Sequence, residues 1–467
     1  MKAILYYKSC LYTPIIIAGI ITAMMLSSCE DFIDVGNPQM QLSGETVFED
    51  VATADAAMVH IYSRLQNTVM VTGDPQGLSI SIGAYADELV SYSNYGLPDE
   101  RFFTNNLLAD DRSISALWSD SYNLIYATNA VYEGVNKATS LGDQDKKRLL
   151  AEALFVRCYI YYFLTNLFGD IPFATTTDYV VNNTLTKKGT VEIYELLIND
   201  LQQAAGLLPS EYNGSNRVRP NKETVLALLA RVALASGRYD LAVAASSSVI
   251  SQPLYTFSDN LQTVFEINCP GTLWQLAPAA DGLNTLEAQN FFFEAAPPAT
   301  RSLSNDLYTA FEDGDLRKTS WIGTVSDGAS EFYYPNKYKL TALTGQSMEY
   351  SIQFRLEEQY LIRAEANARL GLVSESLTDL NVIRARAGLD ETTAVSQQEA
   401  LQANLRERRV EFFTEHGHRF FDLKRYNLAD AVLGQVKPGW DATDVLLPLP
   451  QNELLRNRNL LPQNEGY

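Results

Sequence analysis

The sequence predicts a mainly α fold with TPR-like helical hairpins and long, irregular, aromatic-rich segments between the helical blocks. Three observations predict it. Leu149 to Phe168, LLAEALFVRCYIYYFLTNLF, has the length of a helix and is apolar on nearly every face, as a helix enclosed by other helices would be. Asn221–Ile250 and Glu357–Ala387 each read helix, Gly turn, helix, and they align on Gly237 and Gly371 with Ala230 falling on Ala364. Small residues at such places let antiparallel helices approach closely, as in tetratricopeptide hairpins of about 34 residues. By contrast, Ala84–Asn106, Tyr255–Leu303 and Trp321–Gln353 lack helical period and are rich in Gly, Pro, Asn, Asp and aromatics. Loops that long in a globular chain are usually functional or disordered. Their aromatics (among them Tyr92, Tyr95, Phe102, Trp274, Phe291, Trp321, Tyr333 and Tyr334) argue against disorder.

Composition narrows the function classes. The 467 residues hold 56 Asp plus Glu against 36 Lys plus Arg, a net charge of −20, so neither nucleic acid nor an anionic membrane surface is expected as the main partner. Apolar residues make up 46% and charged residues 20%, which excludes wholesale disorder. There are 26 Tyr, 20 Phe and 4 Trp, an aromatic excess best used as contact surface.

In chain order, the first element is a targeting segment. Lys2 and Lys8 precede an apolar stretch from Leu11 to Leu26. It is shorter than the roughly 20 residues a spanning helix needs, and it fits the apolar region of a secretory signal. Ser27-Ser28-Cys29 follows, resembling a bacterial lipoprotein box in which Cys29 becomes the lipidated first residue. The plainer alternative is an ordinary signal peptide with a cysteine nearby. Removing residues 1–28 takes away two lysines and no acid, leaving the mature chain more negative still. Leu117, Trp118, Tyr122, Ile125, Tyr126, Val131 and Val135 then give Ile114–Ala138 a 3.6-residue period. Val191–Leu208 repeats it through Ile193, Leu197, Leu201, Ala204 and Leu208. Ser396-Gln397-Gln398-Glu399 reads as a capping box opening a helix through Leu401, Leu405, Val410 and Phe413.

Motifs of catalysis are missing. The sequence has no GxSxG, Walker loop, GxGxxG, HExxH or EF-hand loop. A glycosidase needs two carboxylates about 5–10 Å apart, and 56 acids do not single out a pair. His416-Gly417-His418 could suggest a metal pair, but no third ligand stands nearby, so a helix end among charges is the better reading. No metal and no catalytic residue is expected. Cys158 reads as a buried small residue, and a disulfide to Cys269 is not expected. The run from Glu407 to Arg425 alternates charges of both signs with aromatics. It could hold an anion, but near-balanced charge favours ion pairs that fix the last helix to its neighbours.

That run, with Glu407-Arg408-Arg409 and Asp422-Leu423-Lys424-Arg425, resembles the C-terminal signature of the RagB/SusD family of nutrient-uptake outer-membrane lipoproteins. The likeness extends along the chain. It includes Cys29-Glu30-Asp31-Phe32-Ile33-Asp34, Trp118-Ser119-Asp120-Ser121-Tyr122 with Asn129, and Ala151-Glu152-Ala153 with Arg157, Tyr161 and Gly169-Asp170-Ile171-Pro172. Asp313-Gly314-Asp315-Leu316-Arg317, Leu447-Pro448-Leu449-Pro450 and the final Gly466-Tyr467 continue it. One departure is His418 after Gly417, which shifts Arg419 by one position.

The resemblance implies a single domain over residues 29–467, with about four TPR-like units and a loop-rich ligand-binding half. It implies a lipid-anchored protein on the outer face of the outer membrane that caps a SusC-like TonB-dependent barrel. Such a protein takes an oligosaccharide, or in some members a peptide, and releases it into the barrel without catalysis. Some relatives hold calcium, but no ligand pattern for it transfers to this chain, and no cofactor is expected. Glu30, Asp31 and Asp34 resemble a surface-export signal.

Sugars present apolar C–H faces that stack on aromatic rings, while amides and carboxylates bond their hydroxyls. The candidate platform is therefore Tyr92, Asn94 and Tyr95 in one loop and Phe291, Phe292 and Phe293 in another, with Trp321 as a further candidate. Three consecutive Phe cannot all face one way in regular structure. Trp118 and Trp274 lie in apolar-patterned stretches and are expected in the core. Two other readings are a surface glycoside hydrolase and a TPR scaffold without a small ligand.

Overall fold

Eight helices make the frame, each packed on the next: α1 (Arg112–Lys137), α2 (Asp143–Phe168), α3 (Thr190–Leu207), α4 (Lys222–Ala235), α5 (Tyr239–Ile250), α6 (Leu356–Arg369), α7 (Val373–Arg386) and α8 (Gln397–Glu411). This computed structural model describes residues 46–467 apart from residue 69. The expected signal segment, Cys29 and the acids that follow it lie outside the described residues. No helix among the described residues is long and apolar enough to cross a membrane.

The core of the frame is α2. Its apolar faces all find partners, and Phe155, Tyr159, Tyr161 and Phe163 are fully buried. The two aligned hairpins close in the same way. Gly237 (φ 77°) and Gly371 (φ 82°) adopt the left-handed conformation that other residues resist. The next amide then reaches back in each, Arg238 N to Ala233 O at 2.8 Å and Leu372 N to Asn367 O at 2.9 Å. Ala230 and Ala364 are buried, and α5 packs against α6 across the pair. Arg231 on α4 joins the hairpins with a two-pronged ion pair to Glu358 on α6, both bonds 2.7 Å. The capping box forms as read: Ser396 Oγ accepts from Glu399 N while Glu399 accepts from Ser396 N.

The charged run becomes internal ion pairs. Arg408 bonds Asp422 at 2.8 Å, Arg425 bonds Glu365 at 2.6 Å, and Lys337 bonds Glu415 at 2.5 Å. Glu411 sits among Arg317, Arg355 and Arg386, all fully or almost fully buried. Burial alone would raise its pKa, but the charges of Arg386, Arg355 and Arg317 outweigh that and hold it well below the ordinary carboxylate range. The displaced Arg419 finds Asp87, with bonds of 2.8 and 2.7 Å. His416 is buried with Nε2 3.0 Å from Ile352 O, and His418 packs on Phe412 beside Arg408. Cys158 and Cys269 are both buried and free.

Short strands organise much of the loop-rich half: β1 (Leu89–Ser91), β2 (Thr272–Leu276), β3 (Arg301–Leu303), β4 (Ile322–Ser326), β5 (Glu331–Pro335) and β6 (Ser351–Arg355). They pair antiparallel as β1 with β3, β2 with β6, and β4 with β5. Ala84–Val90 is divided between two elements. A helix ends at Tyr85, and Leu89 begins β1 opposite Leu303. Asp87 and Glu88 turn inward between them, drawn by Arg409, Arg419 and the Thr414 amide. Those partners lie more than 300 residues away, beyond the reach of local periodicity.

Candidate ligand-binding site

The β4–β5 hairpin supplies the centre of the site. Asp327 closes its turn by accepting from the Ala329 and Ser330 amides, both at 2.8 Å. Side chains alternate along a strand, so Phe332 and Tyr334 share one face of β5 while Tyr333 points to the other. Tyr333 is fixed there by stacking on Tyr308, with ring centres 3.6 Å apart. On the first face, Tyr92 meets Phe332 edge to face at 6.0 Å. Phe292 and Phe293 meet Tyr334 at 5.3 and 5.2 Å. Five rings from three chain segments thus form a ledge.

Each segment is tethered. Tyr92 N bonds Thr300 O at 2.7 Å, and its hydroxyl lies 3.1 Å from Ser302 Oγ. Arg301 ion-pairs with Asp99 and donates to Asn290 O, tying β3 to the segment that carries the Phe run. The helix Leu286–Phe291 ends with Phe291 turned into the core. Phe292 is extended (φ −68°, ψ 138°) and swings outward, 39% exposed. Tyr92 is also 39% exposed and Tyr95 87%. Partial burial and the Glu294 carboxylate raise the Tyr334 phenol pKa, so it remains a neutral hydrogen-bond donor at the ledge.

Gly323, opposite Tyr334, leaves room for that ring to lie over β4. A Cβ there would sit 2.1 Å from Tyr334 Cζ. Gly323→Ala is therefore expected to dislodge Tyr334 and weaken ligand binding while the helical frame stays folded. Paired binding and circular-dichroism measurements check this; unchanged affinity would remove Tyr334 from the site.

A family model described as "Starch-binding associating with outer membrane" matches residues 31–234, and the SusD family model matches residues 311–467. The chain belongs to the RagB/SusD family. SusD-like protein P2 of Formosa agariphila is 27% identical over 97% of this chain and 99% of its own. Starch-binding protein SusD of Bacteroides thetaiotaomicron is 33% identical over 36% of this chain and 28% of its own. A SusD superfamily protein from Bacteroides vulgatus superposes with a TM-score of 0.78 at 19% identity, covering 90% of this chain and 100% of that one. Surface glycan-binding protein A from B. thetaiotaomicron, solved with laminarihexaose, gives 0.74 at 19% identity, covering 88% and 99%.

Two candidates for this RagB/SusD platform require correction. Trp321 is 0% exposed; its Nε1 donates to Leu261 O at 2.9 Å and its ring packs on Phe265. Phe291 is likewise core. The distant Leu261 carbonyl and Phe265 hold the Trp321 ring inside. Tyr92, Phe292 and Phe293 come together on the ledge. Asn94 and Tyr95 stay exposed on the turn after β1, outside its ring contacts. Tyr334 stands among the loop aromatics singled out in the sequence and Phe332 does not; only strand alternation opposite a glycine marks the two as a shared face.

Proposed function

We propose that this protein captures an oligosaccharide on the ledge of Tyr92, Phe292, Phe293, Phe332 and Tyr334 and passes it to a TonB-dependent outer-membrane transporter. The observation that supports this most is the row of partly exposed rings, each wedged by a neighbour so that its free face is presented without further ordering. Half-buried Ser93 and exposed Asn94, Tyr95 and Glu294 offer polar groups beside it. The similarity to proteins named for starch, laminarin and surface glycan binding favours a glycan over a peptide. In this reading the mature protein is held on the cell surface by acyl chains on Cys29, and it performs no chemistry on its cargo.

Calorimetric titration with laminarihexaose, maltohexaose and a wider oligosaccharide panel tests the proposal, with each mixture examined for cleavage products. Saturable heat without products is expected. Tyr92→Ala and Tyr334→Ala should each weaken binding about 10- to 100-fold, roughly 1.4–2.8 kcal/mol. Cleavage products would replace this reading with a hydrolase. Binding confined to peptides would replace the cargo. Solubilised outer membranes should yield a co-purifying barrel, and its absence would remove the transfer step.

A further inference from the structure

A second aromatic surface lies away from the ledge residues. Trp118, Tyr122 and Tyr126 follow at four-residue intervals on α1, so they share one helical face. Phe168 and Tyr161 of α2 pack edge to face on Trp118 and Tyr122, at 5.2 and 6.1 Å, and leave Tyr126 exposed. The 172–185 loop and the segment around Glu453–Leu460 flank it and leave a cleft of about 440 Å³, within the usual range of small-ligand sites.

The walls are fixed in advance. Tyr122 donates to Pro172 O at 2.7 Å and Asn129 to Ala174 O at 3.1 Å, holding one end of the loop. Asn457 donates to Leu185 O at 2.9 Å and Asn459 to Thr184 O at 3.0 Å, holding the other. The cleft's charged pair neutralises itself, with Arg456 3.0 Å from Glu453. Two polar atoms are left over. Trp274, Trp321 and Trp440 each donate their indole N–H to an oxygen. Trp118 lines the cleft, and its Nε1 has no acceptor among the described residues. Asn182 gives its amide N–H to Thr176 O, while its buried Oδ1 has no donor. Tyr126 and Tyr179, 53% and 73% exposed, offer uncovered ring faces in the same cleft.

An idle donor, an idle acceptor and free ring faces in a locally neutral cleft match one chemistry. We propose that the cleft is a second binding site, for a single neutral pyranose unit. A sugar hydroxyl accepts from Trp118 Nε1, another donates to Asn182 Oδ1, and the C–H face stacks on a tyrosine. This site stands whether or not the ledge binds glycan.

The test reads the indole N–H signals by nitrogen-edited NMR during titration with methyl glucosides, methyl galactosides, methyl mannosides and N-acetylglucosamine at millimolar concentrations. The Trp118 signal, assigned by its loss in Trp118→Phe, should shift saturably with at least one of them while those of Trp274 and Trp321 stay put. The shift should persist in Tyr92→Ala, where the ledge is damaged. It should weaken at least tenfold in Asn182→Ala and in Tyr126→Ala, the latter an exposed position outside the core. A Trp118 signal unmoved by every sugar would overturn the proposal. So would a shift that survives both cleft substitutions, or one that vanishes with Tyr92.

Discussion

Glu411→Ala is expected to lose about 3–5 kcal/mol of stability, a large share of the 5–15 kcal/mol typical of a folded protein. Glu411 is the anion shared by Arg355 and Arg386, each at 2.5 Å, and Arg317 at 3.0 Å. Removing it leaves guanidiniums crowded in the interior with too few counter-charges, while Asp315, Glu357, Glu407 and Glu415 compensate only partly. Because the folded pKa of Glu411 lies below its unfolded value, its contribution is present above about 4.5 and is lost as pH falls through the folded value. Urea unfolding of the wild type and variant at neutral pH measures the loss; a change below about 1 kcal/mol would contradict this account.

Glu88→Gln should act in the opposite direction. Burial first, and the neighbouring Asp87 charge second, push the Glu88 carboxyl from 4.5 up to about 8. The folded protein then keeps a proton that the unfolded chain gives up. The stability contributed by Glu88 is complete below about 4.5 and declines until pH passes about 8. Glutamine keeps an oxygen to accept from Thr414 N, 3.2 Å away, and never ionises. Relative to wild type, the variant should therefore gain about 2–3 kcal/mol between pH 6 and pH 9, at 1.36 kcal/mol per unit. Denaturation midpoints across that range decide it: a pH-independent difference would show that Glu88 is already ionised in the folded state at pH 6.

The helical frame was legible because its signals are local. Apolar period, the glycine that ends each first helix of the aligned pair, and the Ser396–Glu399 box all act within a few residues. The Glu407–Arg425 run was legible as paired charge, although the partners were not. Arg317, Arg355 and Arg386 reach Glu411 from elements far along the chain, and only the fold brings them there. The ledge was half legible. Tyr92, Phe292 and Phe293 lie in segments without helical period, and their exposure follows from where those segments end. Trp321 has the same composition around it, yet the Leu261 carbonyl and Phe265 draw it inside. The cleft beside α1 is not legible in the sequence, because Trp118 and Tyr122 satisfy the apolar period equally well as core residues. Only the loop lying over them shows that one indole N–H has been left idle.

The tethering of the ledge has a consequence for how such a protein can diversify. Its five rings stand on three segments held to one another by the Tyr92–Thr300 and Arg301–Asn290 bonds and by their ring contacts, and none of the rings belongs to the ion-pair network around Glu411. Exchanging a residue at Phe292 or Phe332 alters what the surface prefers while the charges that hold the molecule together stay where they are. Selectivity can thus drift one ring at a time, at little risk to the rest of the molecule.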